Sequence, residues 1–374
     1  MIVVHVIIGL NVGGAELMLK RLIESTKQED VIHKVVSLTS LGVIGSSLKD
    51  NGITVISLGL NSVLGLPLVF FKLRKLLNDF RPDIVHTWMY HADLIGGVAA
   101  YSLGIKNIIW GVRSTDITKG GSKVTLVIRK LCAFLSSVIP KRILFAAKGS
   151  RDVHLGVGYD PLLMQVIPNG YDLSCYTGNK SAGKVLRQSL GIYDNELVFI
   201  SIGRYSPVKD HATFIRSACL LLEQHNNIKF MMLGRDITIE NDVLMSIINA
   251  KGFSDKFMML GERPDVPVCL AASDIFCLHS VTEGFPNVLA EAMASSLVCV
   301  ATDVGDAAML LNTPSMVVTP SCPKQLAEVM SKALNKTYSE RERIGHINCN
   351  RIYESFSMQV VSGQYLKLYQ ELSN

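Results

Sequence analysis

Short apolar runs alternate with amphipathic stretches along the whole chain. Val3–Gly9 (VVHVIIG), Val31–Leu38, Ile53–Leu58, Asp83–Trp88, Asn107–Val112 and Arg142–Ala147 read as buried strands. Between them, Leu17–Ser25, Leu68–Asp79 and Ala92–Leu103 carry helical spacing. In the first, Met18, Leu19, Leu22 and Ile23 share a face, with Lys20, Arg21 and Glu24 opposite. Strands with no polar alternation, joined by helical crossovers, imply a parallel sheet covered on both sides. The pattern restarts at Leu197–Gly203 and continues through Lys229–Gly234, Phe257–Gly261, Asp274–Ser280, Val298–Thr302 and Met316–Thr319. Helices are predicted over His211–Glu223 and Pro323–Asn335, and the tail Phe356–Leu372 is predicted helical.

Between the two alternating halves lies VIPNGYD (Val166–Asp172), rich in turn residues, and then a polar stretch of loose pattern up to Gly191. The expected hinge is Asp172–Gly183. It separates a first Rossmann-like domain, 1–172, from a second, 183–350, with 351–374 as a terminal helical segment. A chain of 374 residues suits two such domains. Gly203, Gly234 and Gly261 each end a strand, so several loops open on one sheet edge, where a ligand cleft is expected.

Composition narrows the class. Hydrophobic residues make up 48% and charged ones 18%, which excludes a disordered chain. The eight cysteines are scattered without C-x-x-C or a histidine at metal spacing, so reduced packing residues of a cytosolic protein are expected, with no metal site. Residues 1–9 lack a basic leader and a cleavage signature, and they read as a first strand. The longest uncharged run, Ile53–Phe71, is broken by Gly59, Gly65 and Pro67, which argues against a membrane span. A net charge of +5 with no dense basic tract gives no sign of nucleic acid as partner. Lys119–Arg142 is different: Val124, Leu126, Val127, Leu131, Phe134 and Leu135 are framed by Lys119, Lys123, Arg129, Lys130, Lys141 and Arg142. That combination suits either a core-packed helix with a basic rim or contact with an anionic membrane surface.

The candidate chemistry gathers in Ser280–Asp306, where a strand gives way to a loop, a helix and another strand. Gly284 and Pro286 stop the strand, and Pro286 suits a first helical turn because its missing N–H has no partner there. The helix start would then face the mouth of a parallel sheet, where phosphate groups bind. Glu283 before the helix and Glu291 about one turn inside it would reach different parts of one extended ligand. GRYSPVKD (Gly203–Asp210) puts Arg204 and Lys209 in one loop beyond a strand; a guanidinium fork and an ammonium together can hold a diphosphate. In the first half, Gly13-Gly14 after the first strand lets backbone approach an anion, although a plain tight turn has the same residues. His86 and His91 sit near a strand end, where histidines are more often structural.

The E-x7-E arrangement Glu283–Glu291, with GFPN inside it, resembles the donor-binding signature of the retaining glycosyltransferases of family 4. Gly203–Lys209 matches their G-R-x4-K pattern. The resemblance implies the GT-B fold, two Rossmann-like parallel-sheet domains with a cleft between them. It implies a nucleoside-diphosphate sugar as donor, with UDP expected, and a glycan or polyprenyl-diphosphate-linked acceptor in the synthesis of a bacterial surface glycan such as O-antigen. Catalytic roles fall to Arg204, Lys209 and Glu283. Donor contacts fall to Glu291 on the ribose, to the backbone at Phe285, Pro286, Asn287 and Val288, to Arg263 by its main chain, and to Gly13 and Gly14 over the diphosphate. No cofactor and no metal is implied. Many members carry a histidine where this chain has Arg113, which makes Arg113 a further candidate cation. The resemblance also implies a tail returning to the first domain, and a cytoplasmic site of action, peripheral on the membrane's inner face. A UDP-sugar epimerase of the same fold and a non-catalytic nucleotide-sugar-binding module remain as alternatives.

Overall fold

A computed structural model of the chain describes residues 1–115 and 122–373. It divides into two compact units, one comprising Met1–Gly170 with the C-terminal residues from Met358, the other Tyr171–Ser357. The first boundary, Gly170–Tyr171, falls just before the expected hinge at Asp172–Gly183, and the second, Ser357–Met358, falls a little after the expected division at 350–351. Within the second unit these ends are adjacent: the Tyr171 N–H donates to the Phe356 carbonyl at 2.9 Å.

The first unit is built on a seven-stranded sheet of β1 (Ile2–Ile7), β2 (Ile32–Ser37), β3 (Thr54–Ser57), β4 (Ile84–Trp88), β5 (Ile108–Val112), β6 (Arg142–Phe145) and β7 (Met164–Val166). The spatial order is β3-β2-β1-β4-β5-β6-β7, parallel throughout. Sequence order therefore reverses between β1 and β4. One core covers the face carrying Val4, Val6, Val85, Trp110 and Phe145, under the helices Leu66–Phe80, Tyr90–Tyr101 and Lys123–Leu135. The other carries Val3, Ile7, Val35 and Trp88, under Gly14–Ser25 and the last helix, Met358–Ser373. That last helix buries Val361, Tyr365, Leu368 and Tyr369, spaced four, three and one apart, so a single stripe docks on the first unit although the chain has just traversed the second.

The second unit has six parallel strands: β8 (Leu197–Ile202), β9 (Ile228–Leu233), β10 (Phe257–Met259), β11 (Ile275–Leu278), β12 (Val298–Thr302) and β13 (Val317–Val318). Their order is β10-β9-β8-β11-β12-β13, with the reversal between β8 and β11. Phe199, Phe230 and Phe257 stack across β8 to β10 with ring centroids 5.4 and 5.1 Å apart, and Phe214 from the helix His211–Leu222 meets Phe230 edge-on at 5.9 Å.

Several expectations shift. The helix expected from Leu17 begins three residues earlier, so Gly13–Gly14 is the helix start itself. The tail is two helices, Tyr338–Phe356 and Met358–Ser373. The polar stretch read as hinge holds the helix Lys180–Ser189, which packs on the helix Val266–Ala271. A Cβ on Gly183 would meet the Ala271 carbonyl at 2.6 Å, and Arg187 bonds the carbonyls of Ala272 and Glu196 and the Asp274 carboxylate. No helix among the described residues is long and apolar enough to cross a membrane.

Candidate active site

The loops leaving β8 and β11 diverge where the strand order of the second unit reverses, the place where open α/β sheets hold their ligands. Lys209 comes from the first loop and Glu283 from the second. The Lys209 Nζ lies 2.5 Å from the Glu283 Oε1, which also accepts from the Ser280 hydroxyl at 2.7 Å. The two loops are laced by backbone, with the Val281 N–H donating to the Val208 carbonyl at 2.9 Å. Lys209 and Glu283 are half-buried, and Arg204 is exposed on the same β8 loop.

A buried histidine fixes the lysine. His279, at the end of β11, sits 2.5 Å by Nδ1 from the Lys209 carbonyl and 2.5 Å by Nε2 from the Ser201 hydroxyl. A carbonyl only accepts, so Nδ1 carries the proton and Nε2 accepts from Ser201. Burial, followed by the nearby His211, holds His279 well below the usual histidine range, so the ring is neutral and the tautomer is set. His211 is itself pushed down to about 4, chiefly by burial. Neither residue was singled out from sequence. A histidine closing an apolar run (DIFCLHS) has no spacing signature of its own.

The glutamate loop is shaped by backbone packing. Gly305 (φ +53°) leaves so little room that a Cβ there would meet the Gly284 carbonyl at 2.2 Å and the Glu283 carbonyl at 2.5 Å. The next N–H, that of Asp306, is donated to the Gly284 carbonyl at 3.0 Å, and the Thr302 hydroxyl donates to the Ser280 carbonyl at 2.7 Å. The following helix is Asn287–Ala294, so Pro286 is its cap residue and Glu291 lies in its second turn. Phe285 is buried, its ring against Tyr171 and Phe356. The Tyr171 hydroxyl donates to the Asn287 Oδ1 at 2.6 Å. Arg263, beyond β10, makes a two-point bond to Asp265 with its guanidinium (2.8 and 2.6 Å).

In the first unit, Gly13 is the extended N-cap of the helix Gly14–Ser25, which has no side-chain cap. Arg113, just past β5, is braced: Nη1 donates to the Asn169 Oδ1 at 3.0 Å, Nη2 donates to the Tyr365 hydroxyl, and the guanidinium lies 4.9 Å from the centre of the Trp88 ring. His91 is half-buried, while His86 is fully buried and bonds the Tyr369 hydroxyl at 2.8 Å, in a wall with Trp88. Arg129, expected in a basic rim, is instead buried, and Lys119 lies outside the described residues.

Beside that wall runs a relay whose protons are all determined. The Trp88 indole N–H donates to the His5 Nδ1 (3.2 Å), the His5 Nε2 to the His33 Nδ1 (2.9 Å), the His33 Nε2 to the Thr26 hydroxyl (2.9 Å), and Thr26 to the Leu22 carbonyl (2.7 Å). A proton added to either ring, at its Nδ1, would meet the N–H that this nitrogen accepts from. Burial lowers His33 to about 4, so between that value and the ordinary 6.5 the unfolded chain binds more protons than the folded one. The contribution of His33 is thus present above pH 6.5 and lost as pH falls toward 4, at most about 3 kcal/mol. Buried Asp93, pushed up to about 7, works in the opposite direction, so the His33 part is read by difference. Thermal unfolding of wild type and His33→Gln, followed from pH 7 to 4.5, should show the wild type losing stability faster; parallel curves would refute the relay.

The family described as "Glycosyltransferase Family 4" matches residues 12–174, and the one described as "Glycosyl transferases group 1" matches residues 184–349. The chain belongs to these glycosyltransferases. Among curated members, UDP-Gal:alpha-D-GlcNAc-diphosphoundecaprenol alpha-1,3-galactosyltransferase of Escherichia coli is 28% identical over 238 residues, 62% of this chain and 61% of the relative. N-acetylgalactosamine-N,N'-diacetylbacillosaminyl-diphospho-undecaprenol 4-alpha-N-acetylgalactosaminyltransferase of Campylobacter jejuni is 25% identical over 64% of this chain and 63% of its own. The match thus spans about three fifths of these relatives' length. Among solved structures, Anabaena Alr3699/HepE in complex with UDP superposes with a TM-score of 0.85 at 21% identity, over 99% of this chain and 100% of that one. The lipopolysaccharide glycosyltransferase WaaG does so with a TM-score of 0.70 at 14% identity, over 98% and 99%. These likenesses make the fold GT-B.

Proposed function

We propose that this glycosyltransferase moves a sugar, with retention at the anomeric carbon, from a UDP-linked donor to a glycan or polyprenyl-diphosphate-linked acceptor in the synthesis of a surface polysaccharide. The observation that carries the proposal is the Lys209–Glu283 pair at the β8/β11 reversal, beside the start of the helix Asn287–Ala294. The printed names of the Escherichia coli and Campylobacter jejuni relatives supply the diphosphoundecaprenol class of acceptor.

Cleavage of the anomeric C–O bond leaves the bonding pair on the diphosphate and positive charge on the sugar. Lys209 and Arg204 supply the fixed positive charge that the departing diphosphate requires, with the N–H groups of residues 287–289 behind them. No metal or cofactor is assigned to this step. Glu283 orients the sugar hydroxyls, and Glu291 the ribose. The acceptor hydroxyl attacks from the side of the leaving group and gives its proton to a donor phosphate oxygen, so no second carboxylate flanking the bond is needed, unlike in retaining glycosidases. Gly13 and Gly14, at the start of the helix Gly14–Ser25, belong to the proposal as the first unit's candidate backbone donors to an anion, and Arg113 as a brace within that unit. The decisive experiment is a panel of UDP-sugars screened for a rise in Tm, then assayed for transfer to a polyprenyl-diphosphate glycan. Transfer of one sugar is expected. Isomerisation without acceptor would make the chain an epimerase, and stabilisation without turnover a binding module.

Membrane contact belongs to the same proposal. On the helix Lys123–Leu135 and just beyond it, Val124, Val127, Leu131, Phe134 and Val138 are all exposed, Phe134 at 80%, and follow one helical stripe between exposed Lys123, Lys130 and Lys141. This is the surface expected to sit on the inner face of an anionic membrane. Replacing Phe134 and Lys130 together by Glu should cut co-sedimentation with phosphatidylglycerol vesicles several-fold. Unchanged sedimentation would remove the contact.

A further inference from the structure

Of the five non-glycine residues that hold left-handed backbone in the second unit, two are bonded to each other. Asp210 (φ 50°, ψ 50°) follows Lys209 directly; Ser321 (φ 56°) lies in the turn between β13 and the helix Pro323–Leu334. An L side chain resists this region by about 1–2 kcal/mol, so each conformation persists only where neighbours impose it. For Asp210 the neighbours are visible. Its Oδ1 accepts the Thr213 N–H at 3.2 Å and caps the helix His211–Leu222, while its Oδ2 accepts the Ser321 hydroxyl at 3.0 Å. The Ser321 turn is held against that same helix, because the Ser217 hydroxyl donates to the Pro323 carbonyl at 3.0 Å.

Lys209 is thus gripped twice just past its α-carbon. Its carbonyl is fixed by His279, and the next residue is fixed by Ser321. If Asp210 relaxed to a right-handed or extended conformation, the peptide after Lys209 would rotate. The carbonyl would leave His279, and the ammonium would lose its aim at Glu283.

We propose that Ser321 is a positioning residue for donor binding: through Asp210 it holds the backbone that presents Lys209 to the donor diphosphate. This rests on the assignment of Lys209 to the diphosphate. Ser321 is 111 positions from Asp210 and outside every motif of the sequence, so only the fold brings it to the site.

Two measurements on the full chain separate this role from the donor assignment. Calorimetry with UDP should show Ser321→Ala binding about fivefold more weakly than wild type, the loss of one such hydrogen bond. Asp210→Gly added to Ser321→Ala should recover most of that loss, since glycine enters the left-handed region freely and caps a helix nearly as well. A merely structural defect at Ser321 would not be rescued by a second substitution. Crystal structures of Ser321→Ala and of the double variant, without ligand, should show Lys209 parted from Glu283 in the first and rejoined in the second. Wild-type affinity in Ser321→Ala, or an intact Lys209–Glu283 pair in its structure, would overturn the proposal. If wild type failed to bind UDP while the structures behaved as expected, the donor assignment would fall and the positioning of Lys209 by Ser321 would stand.

Discussion

Lys209→Ala is expected to lower sugar transfer at least a hundredfold, the scale of losing a preorganised charge at a site where charge develops. The variant should also lose some stability, for a reason unrelated to catalysis. Among the described residues, Glu283 keeps only the Ser280 hydroxyl as a side-chain hydrogen-bond partner once its ammonium is gone, and its side chain is 13% exposed. A half-buried carboxylate without its counter-charge costs about 1–3 kcal/mol. The two effects can be pulled apart. Lys209→Ala combined with Glu283→Gln should regain most of the lost Tm and none of the lost affinity for UDP, which lacks the sugar that Glu283 is proposed to orient. If UDP affinity returned with stability, Lys209 would be a structural cation, and the diphosphate would have to be held elsewhere.

Gly305→Ala is expected to damage the site from the opposite side. Its φ of +53° penalises any side chain, and the added methyl would have to displace the carbonyls of Gly284 and Glu283, which stand 2.2 and 2.5 Å from the Cβ position. Strain and overpacking together cost about 3 kcal/mol. The displaced atoms are the backbone of the glutamate loop, so Glu283 moves with them and the 3.0 Å bond from Asp306 is lost. Calorimetry with UDP should show at least a tenfold loss of affinity, and the thermal transition should fall by several degrees. Gly252 serves as a control: it is also left-handed (φ +72°) but has nothing within 4 Å of its Cβ position, so Ala there should lower stability slightly and leave UDP binding alone.

Much of this arrangement was legible in the chain because it depends on patterns that strands and loops write into sequence. DIFCLHS reads as a strand since every residue of β11 is buried on both faces, and Gly203, Gly234 and Gly261 mark where strands give way to loops. Lys209 and Glu283 could be named because a cation or carboxylate just past such a strand has few places to go except the sheet edge. The helix Lys180–Ser189 could not be read, because it docks through Gly183 and the guanidinium of Arg187 and so carries no apolar stripe. The residues that hold the site in shape were equally hidden. His279, Gly305 and Ser321 act by touching backbone carbonyls or a carboxylate far away in sequence, and nothing in their immediate neighbours marks them. Arg113 shows the converse: a conspicuous cation at a strand end, it spends its guanidinium on Asn169, Tyr365 and the Trp88 face.

The most direct test compares UDP with UMP, which differ by the phosphate group that Lys209 is said to hold. In wild type, calorimetry should show UDP bound markedly more tightly than UMP. In Lys209→Ala the difference should collapse to within about twofold, with UMP affinity nearly unchanged. A UDP preference that survives the substitution intact would contradict the central claim.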